Sequence, residues 1–94
     1  MDKYLIVLEK TSTGFSAYSP DVLGCIATGD TIDNTLLNMK SALKLHLKAM
    51  SEDGEVIPQP RGIESYLEVV SESDGEDYLM THIPINEILA MQYS

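Results

Sequence analysis

Three aspartates close together in the chain, Asp21, Asp30 and Asp33, are its nearest approach to a carboxylate cluster for a divalent metal. Each has a local reason for its position. Asp21 follows Ser19-Pro20, where a short carboxylate favours a turn, and Asp30 and Asp33 flank a helix start, where negative charge meets the positive end of the helix dipole. The histidines stand apart. His46 lies beside an apolar helical stripe and His82 in an apolar segment, and neither has a His, Cys or Glu at metal-ligand spacing. Cys25, between Gly24 and Ile26, suits a small buried residue better than a nucleophile. G-x-S-x-G, the P-loop and H-E-x-x-H are absent. The expected strands Tyr4–Leu8, Cys25–Thr28 and Tyr78–Ile83 hold no Asp or Glu, so metal-dependent phosphoryl transfer lacks converging ligands. No catalytic, metal or cofactor residue is assigned, and the chain is not expected to be an enzyme.

Charge is more informative than chemistry here. The net charge of -9 is unevenly placed. Residues 1–50 hold five acidic residues (Asp2, Glu9, Asp21, Asp30, Asp33) and five basic ones (Lys3, Lys10, Lys40, Lys44, Lys48), whereas residues 51–94 hold ten acidic residues against Arg61 alone. Such a chain is repelled by nucleic-acid phosphates and attracted to a basic partner, although acidity also serves solubility. Ninety-four residues make one domain, 1–94, with a modest core. No apolar run reaches the length of a membrane span, and M-D-K-Y-L-I-V-L-E is a poor signal peptide. The single cysteine fits a reducing compartment, so a cytoplasmic location is expected.

The elements that would position these residues centre on a long helix. Ile32, Leu36, Met39, Leu43, Leu47 and Met50 recur at spacings of three and four, Thr31 is placed to cap the start, and Ser51-Glu52-Asp53-Gly54 ends the run. Leu37 and Leu45 project away from this stripe. Tyr4–Leu8 reads as a central strand, Phe15–Tyr18 as its hairpin partner and Cys25–Thr28 as a third strand. Gly62–Val70 has Ile63, Tyr66, Leu67 and Val70 at helical spacing and an E-V-V that suits a strand; a short helix is favoured. Ser71–Asp77 is a loop, Tyr78–Ile83 a fourth strand, and Ile85–Met91 a helical tail with Asn86 as its cap. The expected class is α+β: a three-stranded antiparallel meander, a fourth strand parallel to the first, and the long helix across one face. An exposed sheet edge on so small a domain predicts a homodimer or homotetramer.

Residues 18–60 carry a resemblance. Tyr18-Ser19-Pro20-Asp21, Leu23-Gly24-Cys25, Thr28-Gly29-Asp30-Thr31, the helix, Glu52-Asp53-Gly54-Glu55 and Ile57-Pro58-Gln59-Pro60 follow one another as in the HicB family of antitoxins, and the likeness extends to the last strand. This resemblance implies a partial ribonuclease-H-like fold and a protein that neutralises HicA, a small basic toxin that cleaves messenger RNA. Pro20, Asp21, Gly24, Cys25, Gly29, Asp30 and Thr31 are then mainly structural. Leu23 and Asn34 depart from the family pattern, where proline and glutamate are usual. Many members carry a DNA-binding domain at the C-terminus, and none is visible before Ser94. The expected partner-binding residues are Tyr66, Leu67, Glu68, Glu72, Asp74, Glu76, Asp77 and Tyr78, the acidic ones facing toxin lysines and arginines. Tyr66, Leu67 and Tyr78 form either an apolar centre of that contact or part of the core. The alternatives are an oligomeric structural or regulatory protein without a toxin partner, and a residual ribonuclease-H-like nuclease. Direct nucleic-acid or membrane binding is not expected.

Overall fold

The computed structural model describes residues 2–72 and 77–90. The strands are β1 (Lys3–Lys10), β2 (Phe15–Ser19), β3 (Val22–Gly29) and β4 (Tyr78–Pro84), in the sheet order β3-β2-β1-β4. The helices are α1 (Ile32–Glu52), α2 (Ile63–Glu72) and the short α3 (Ile85–Ala90). The uninterrupted Y-L-I-V-L of β1 is buried throughout because both faces of the sheet are covered. Tyr4, Ile6 and Leu8 join the cluster under α1, while Leu5 and Val7 join a second cluster under α2.

Local chemistry sets the ends of α1. The Thr31 side chain accepts a hydrogen bond from the Asn34 amide N–H at 3.0 Å, and the Asn34 side chain donates to Asp30 at 2.8 Å. Asn34 therefore completes the cap by reaching Asp30, and this hydrogen bond is the main cause holding the Asp30 carboxyl below its usual pKa. At the other end the Asp53 and Gly54 amides bond to the carbonyls of Ala49 and Ser51. Met39, Leu43 and Leu47 are buried, Leu36 and Met50 partly so, and Leu37 and Leu45 are exposed. Ile32 is more open than the stripe predicts. Thr35 takes the buried place instead, pressed on Gly29, where a Cβ would meet the Thr35 Oγ1 at 2.6 Å. Gly29 is thus required by a close approach of strand to helix.

The fourth strand departs from expectation. β4 pairs with β1 antiparallel, from Lys3 opposite Pro84 to Glu9 opposite Tyr78, and no parallel pair occurs among the described strands. The reason is α2, which makes a second transit of the sheet. Its Tyr66 lies beside His82, which is opposite Leu5, whereas Glu72 lies near Tyr18, which is opposite Val7. α2 therefore runs with β1, and the chain turning out of it must run against β1. One helical transit between β3 and β4 would have made them parallel; two make β4 antiparallel. β3 is also longer than the expected Cys25–Thr28. Asn86 lies inside α3 rather than capping it, since the helix begins at Ile85, whose amide bonds to the Asp2 carbonyl at 2.9 Å. The end of the expected tail, Met91, lies outside the described residues.

Candidate protein-interaction face

Asp21 does more than turn the chain between β2 and β3. Its carboxylate is buried and accepts the Leu5 amide N–H at 2.9 Å, the Arg61 amide N–H at 3.2 Å and the Ser65 hydroxyl. The Arg61 Nε stands 3.8 Å away, and the same guanidinium donates to the Pro20 carbonyl at 2.8 Å and to Glu68. A buried carboxylate persists only when paired and hydrogen-bonded, and here the pairing ties β1, the β2–β3 turn and the start of α2 to one point. Arg61, the single basic residue of the second half, has its charge engaged by Asp21 and Glu68.

A second polar contact joins α2 to β4. The Tyr66 hydroxyl is hydrogen-bonded to His82 Nε2, and the rings lie 5.7 Å apart in a tilted arrangement. Burial is the main cause that lowers the His82 pKa, Lys3 adds to it and Asp21 opposes it. Tyr66 and Tyr78 are half-buried and pack with Tyr18 against Leu5, Val7 and Val69. These two tyrosines therefore belong to the second cluster.

Leu67 points the other way. It is 63% exposed, and Ile63 (72%) and Val70 (58%) share its outward stripe at spacings of four and three. The sequence grouped Ile63, Tyr66, Leu67 and Val70 as one face, but the inward side is formed by Ser65, Tyr66 and Val69. Glu64, Glu68 and Glu72, each four residues apart, make an acidic ridge beside the stripe. Beyond Glu72 a groove of about 400 Å³ separates α2 from β3, with Tyr18, Pro20, Leu23, Ile26 and Val69 among its walls. Asp77 is exposed just before β4, and Asp74 and Glu76 lie outside the described residues.

The remaining singled-out residues lie on β3 and α1. Gly24 adopts a positive φ of 83° within β3, and His46 of α1 stands over it, 3.9 Å from where a Cβ would be. Burial pushes the Cys25 thiol pKa up, which keeps it protonated. Among the described residues no group of three or more His, Cys, Asp or Glu is placed to hold a metal ion, and no helix is long and apolar enough to cross a membrane.

Residues 4–92 match the family described as HicB_like antitoxin of bacterial toxin-antitoxin system. The chain belongs to this antitoxin family. A 14.9 kDa protein of the rep-hol intergenic region of Haemophilus phage HP1 is 34% identical over 83 residues, covering 88% of this chain and 60% of the phage protein. The match therefore spans about three fifths of that relative. A solved structure described as a HicA3 and HicB3 toxin-antitoxin complex superposes with a TM-score of 0.70 at 27% identity, over 85% of this chain and 93% of that one. The antitoxin HicB3 crystal structure gives 0.73 at 24% identity, over 98% and 68% of the two chains, and shows the shared fold. The fold is HicB-like α+β, built on a four-stranded antiparallel sheet.

Proposed function

We propose that this chain neutralises a small basic HicA-type toxin in the cytoplasm by direct protein–protein contact through the outer face of α2. The observation that carries this reading is a helix with apolar side chains on both sides, whose outward Ile63, Leu67 and Val70 are edged by Glu64, Glu68 and Glu72. A surface helix ordinarily keeps its outer side polar, so an outward apolar stripe asks for a second surface. The acidic ridge selects what that surface is. A ribonuclease toxin holds RNA phosphates with lysines and arginines, and Glu64 and Glu72 compete for those cations while Glu68 is engaged by Arg61. Asp77, and Glu52, Asp53 and Glu55 at the end of α1, add further exposed negative charge to the molecule. The described complex of a HicA3 with a HicB3 supports the class of partner.

The chain acts by occupation, not by chemistry. Asp21, the only buried carboxylate among the described residues, has its oxygens committed to Leu5, Arg61 and Ser65. Purified protein with magnesium is therefore expected to leave RNA and RNA–DNA hybrids intact; cleavage lost in Asp21→Asn would revive the residual-nuclease alternative. Co-expression with a HicA-type toxin tests the function itself. The parent chain should restore growth, and Leu67→Lys, an exposed change that leaves the melting temperature within a few degrees, should restore it poorly. Growth arrest undiminished by the parent chain would overturn the reading.

A further inference from the structure

α2 covers only part of its side of the sheet. It packs over β1, and the sheet order places β2 and then β3 beyond it. One row of side chains crosses that side: Val7 pairs with Tyr18, and Tyr18 pairs with Ile26. Exposure rises along the row, from buried Val7 through half-buried Tyr18 to Ile26 at 71%. The step beside the helix is the groove of about 400 Å³, with Leu23 and Ile26 on the β3 side, Tyr18 between, and Glu68 and Glu72 on the helix side. The groove is thus apolar along β3 and anionic along α2.

One end of it already holds a guanidinium. Pro20 and Glu68 are wall residues there, and Arg61 donates to the Pro20 carbonyl at 2.8 Å and to Glu68. Glu72 stands one helical turn further on. Among the described residues the ion pairs engage Asp21, Glu68 and Glu87, and Glu72 enters none of them. Burial is the main cause that raises the Tyr18 pKa, and Glu9, Glu72 and Glu68 add to it, so the phenol stays neutral in a negative field.

We propose that this groove receives one arginine side chain of the toxin, with its stem along Leu23 and Ile26 and its guanidinium between Tyr18 and Glu72. This seat depends on the toxin-binding reading and adds β2 and β3 to the face that α2 presents. An apolar ligand would leave Glu72 against an uncharged surface, and a small cation would leave Leu23 and Ile26 in water. A long cationic side chain satisfies both walls, because its stem is apolar and its head charged. Arginine fits better than lysine. A planar guanidinium is more weakly hydrated, lies against an aromatic ring and pairs with a carboxylate through two N–H groups at once. A second copy of this chain is a poor donor, since Arg61 is its single arginine and is already engaged by Asp21 and Glu68.

The test is a set of double-mutant cycles in the complex of the full chain with a HicA-type toxin, pairing Glu72→Gln with alanine at each toxin arginine and lysine. Glu72 and Ile26 are both exposed, so changes there leave the fold intact. Glu72→Gln should weaken the complex about tenfold, mainly by faster dissociation, and one toxin arginine should couple to it by a similar factor. Ile26→Ser should weaken the complex about fivefold and couple to that same arginine. Glu64→Gln, on the acidic ridge but outside the groove, should slow association and couple to no single toxin residue. A parent complex in which no toxin arginine couples to Glu72 overturns the seat and leaves the α2 reading standing. A lysine as the coupled residue, or coupling of Ile26 to an apolar toxin residue alone, also overturns it. Groove variants that change sedimentation of the free chain and leave toxin affinity unmoved overturn it in favour of a second copy. A parent chain that binds no toxin removes the α2 reading, and the seat with it.

Discussion

The two faces of the sheet are covered by different means. Among the described residues the cluster on the α1 side holds eleven buried residues, Met39, Leu43 and Leu47 of the helix included, whereas the hydrophobic cluster on the α2 side holds three, Leu5, Val7 and Val69. What α2 lacks in apolar contact it replaces with polar contacts: Asp21 to Ser65 and Arg61, and Tyr66 to His82. Apolar packing is non-directional and indifferent to pH, but the polar attachment depends on geometry and protonation. The lesson is that the helix with the outward apolar stripe is also the one most lightly seated. A thin core on one side leaves α2 with apolar residues to offer on the other.

That contrast can be broken most strongly at the α1 face. Leu43→Ala empties a fully buried position and should cost about 2–5 kcal/mol in denaturant unfolding, lost from the whole molecule at once. Asp21→Ala should come next, at about 3 kcal/mol, because it leaves the Leu5 and Arg61 amides and the Ser65 hydroxyl without their partner. Its signature should differ: hydrogen exchange should quicken in α2 far more than in α1, and equal loss in both helices would dissolve the distinction between the faces.

Smaller effects sharpen it. Tyr66→Phe should cost about 1 kcal/mol through the lost bond to His82. The His82 pKa is lowered in the fold, so the unfolded chain takes up a proton first as pH falls. This contribution is intact above the ordinary histidine pKa of 6.5 and is lost as pH drops below it toward the lowered folded value. The melting temperature should therefore decline between pH 7 and 5, and His82→Gln should flatten that decline. An unchanged slope in the variant would remove His82 from the attachment of α2. Least of all, Leu37→Ala on the exposed side of α1 should stay within about 0.5 kcal/mol of the parent.

How far the fold is legible follows the same division. The α1 face obeys periodicity: the spacing of Met39, Leu43 and Leu47, the Thr31 cap and the outward Leu37 and Leu45 all follow from local pattern. The α2 face does not, because its anchors are distant in sequence. Asp21 meets Arg61 across 40 residues and Ser65 across 44, and an Asp after Ser-Pro looks locally like a turn residue and nothing more. Apolar periodicity placed Tyr66 and Leu67 together, yet a serine holds a central inward position of α2 through its hydroxyl, and this rotates Ile63, Leu67 and Val70 outward. The direction of β4 was hidden for a related reason, since it depends on which face α2 crosses. Signals were present in the lone Arg61 of an acidic half and in the apolar surplus of Ile63 to Val70. Neither is a periodic signal, so neither was decisive without the tertiary contacts.

The central claim is that the acidic, apolar-striped face of α2 captures a basic toxin. Stopped-flow association of the chain with a HicA-type toxin, followed over a salt series, tests this most directly. The account predicts an association rate that falls steeply as salt rises, and a slower, less salt-sensitive rate for Glu64→Lys and Glu72→Lys. Leu67→Lys should act mainly by hastening dissociation. An association rate indifferent to salt and to both charge reversals, with dissociation unmoved by Leu67→Lys, would contradict it.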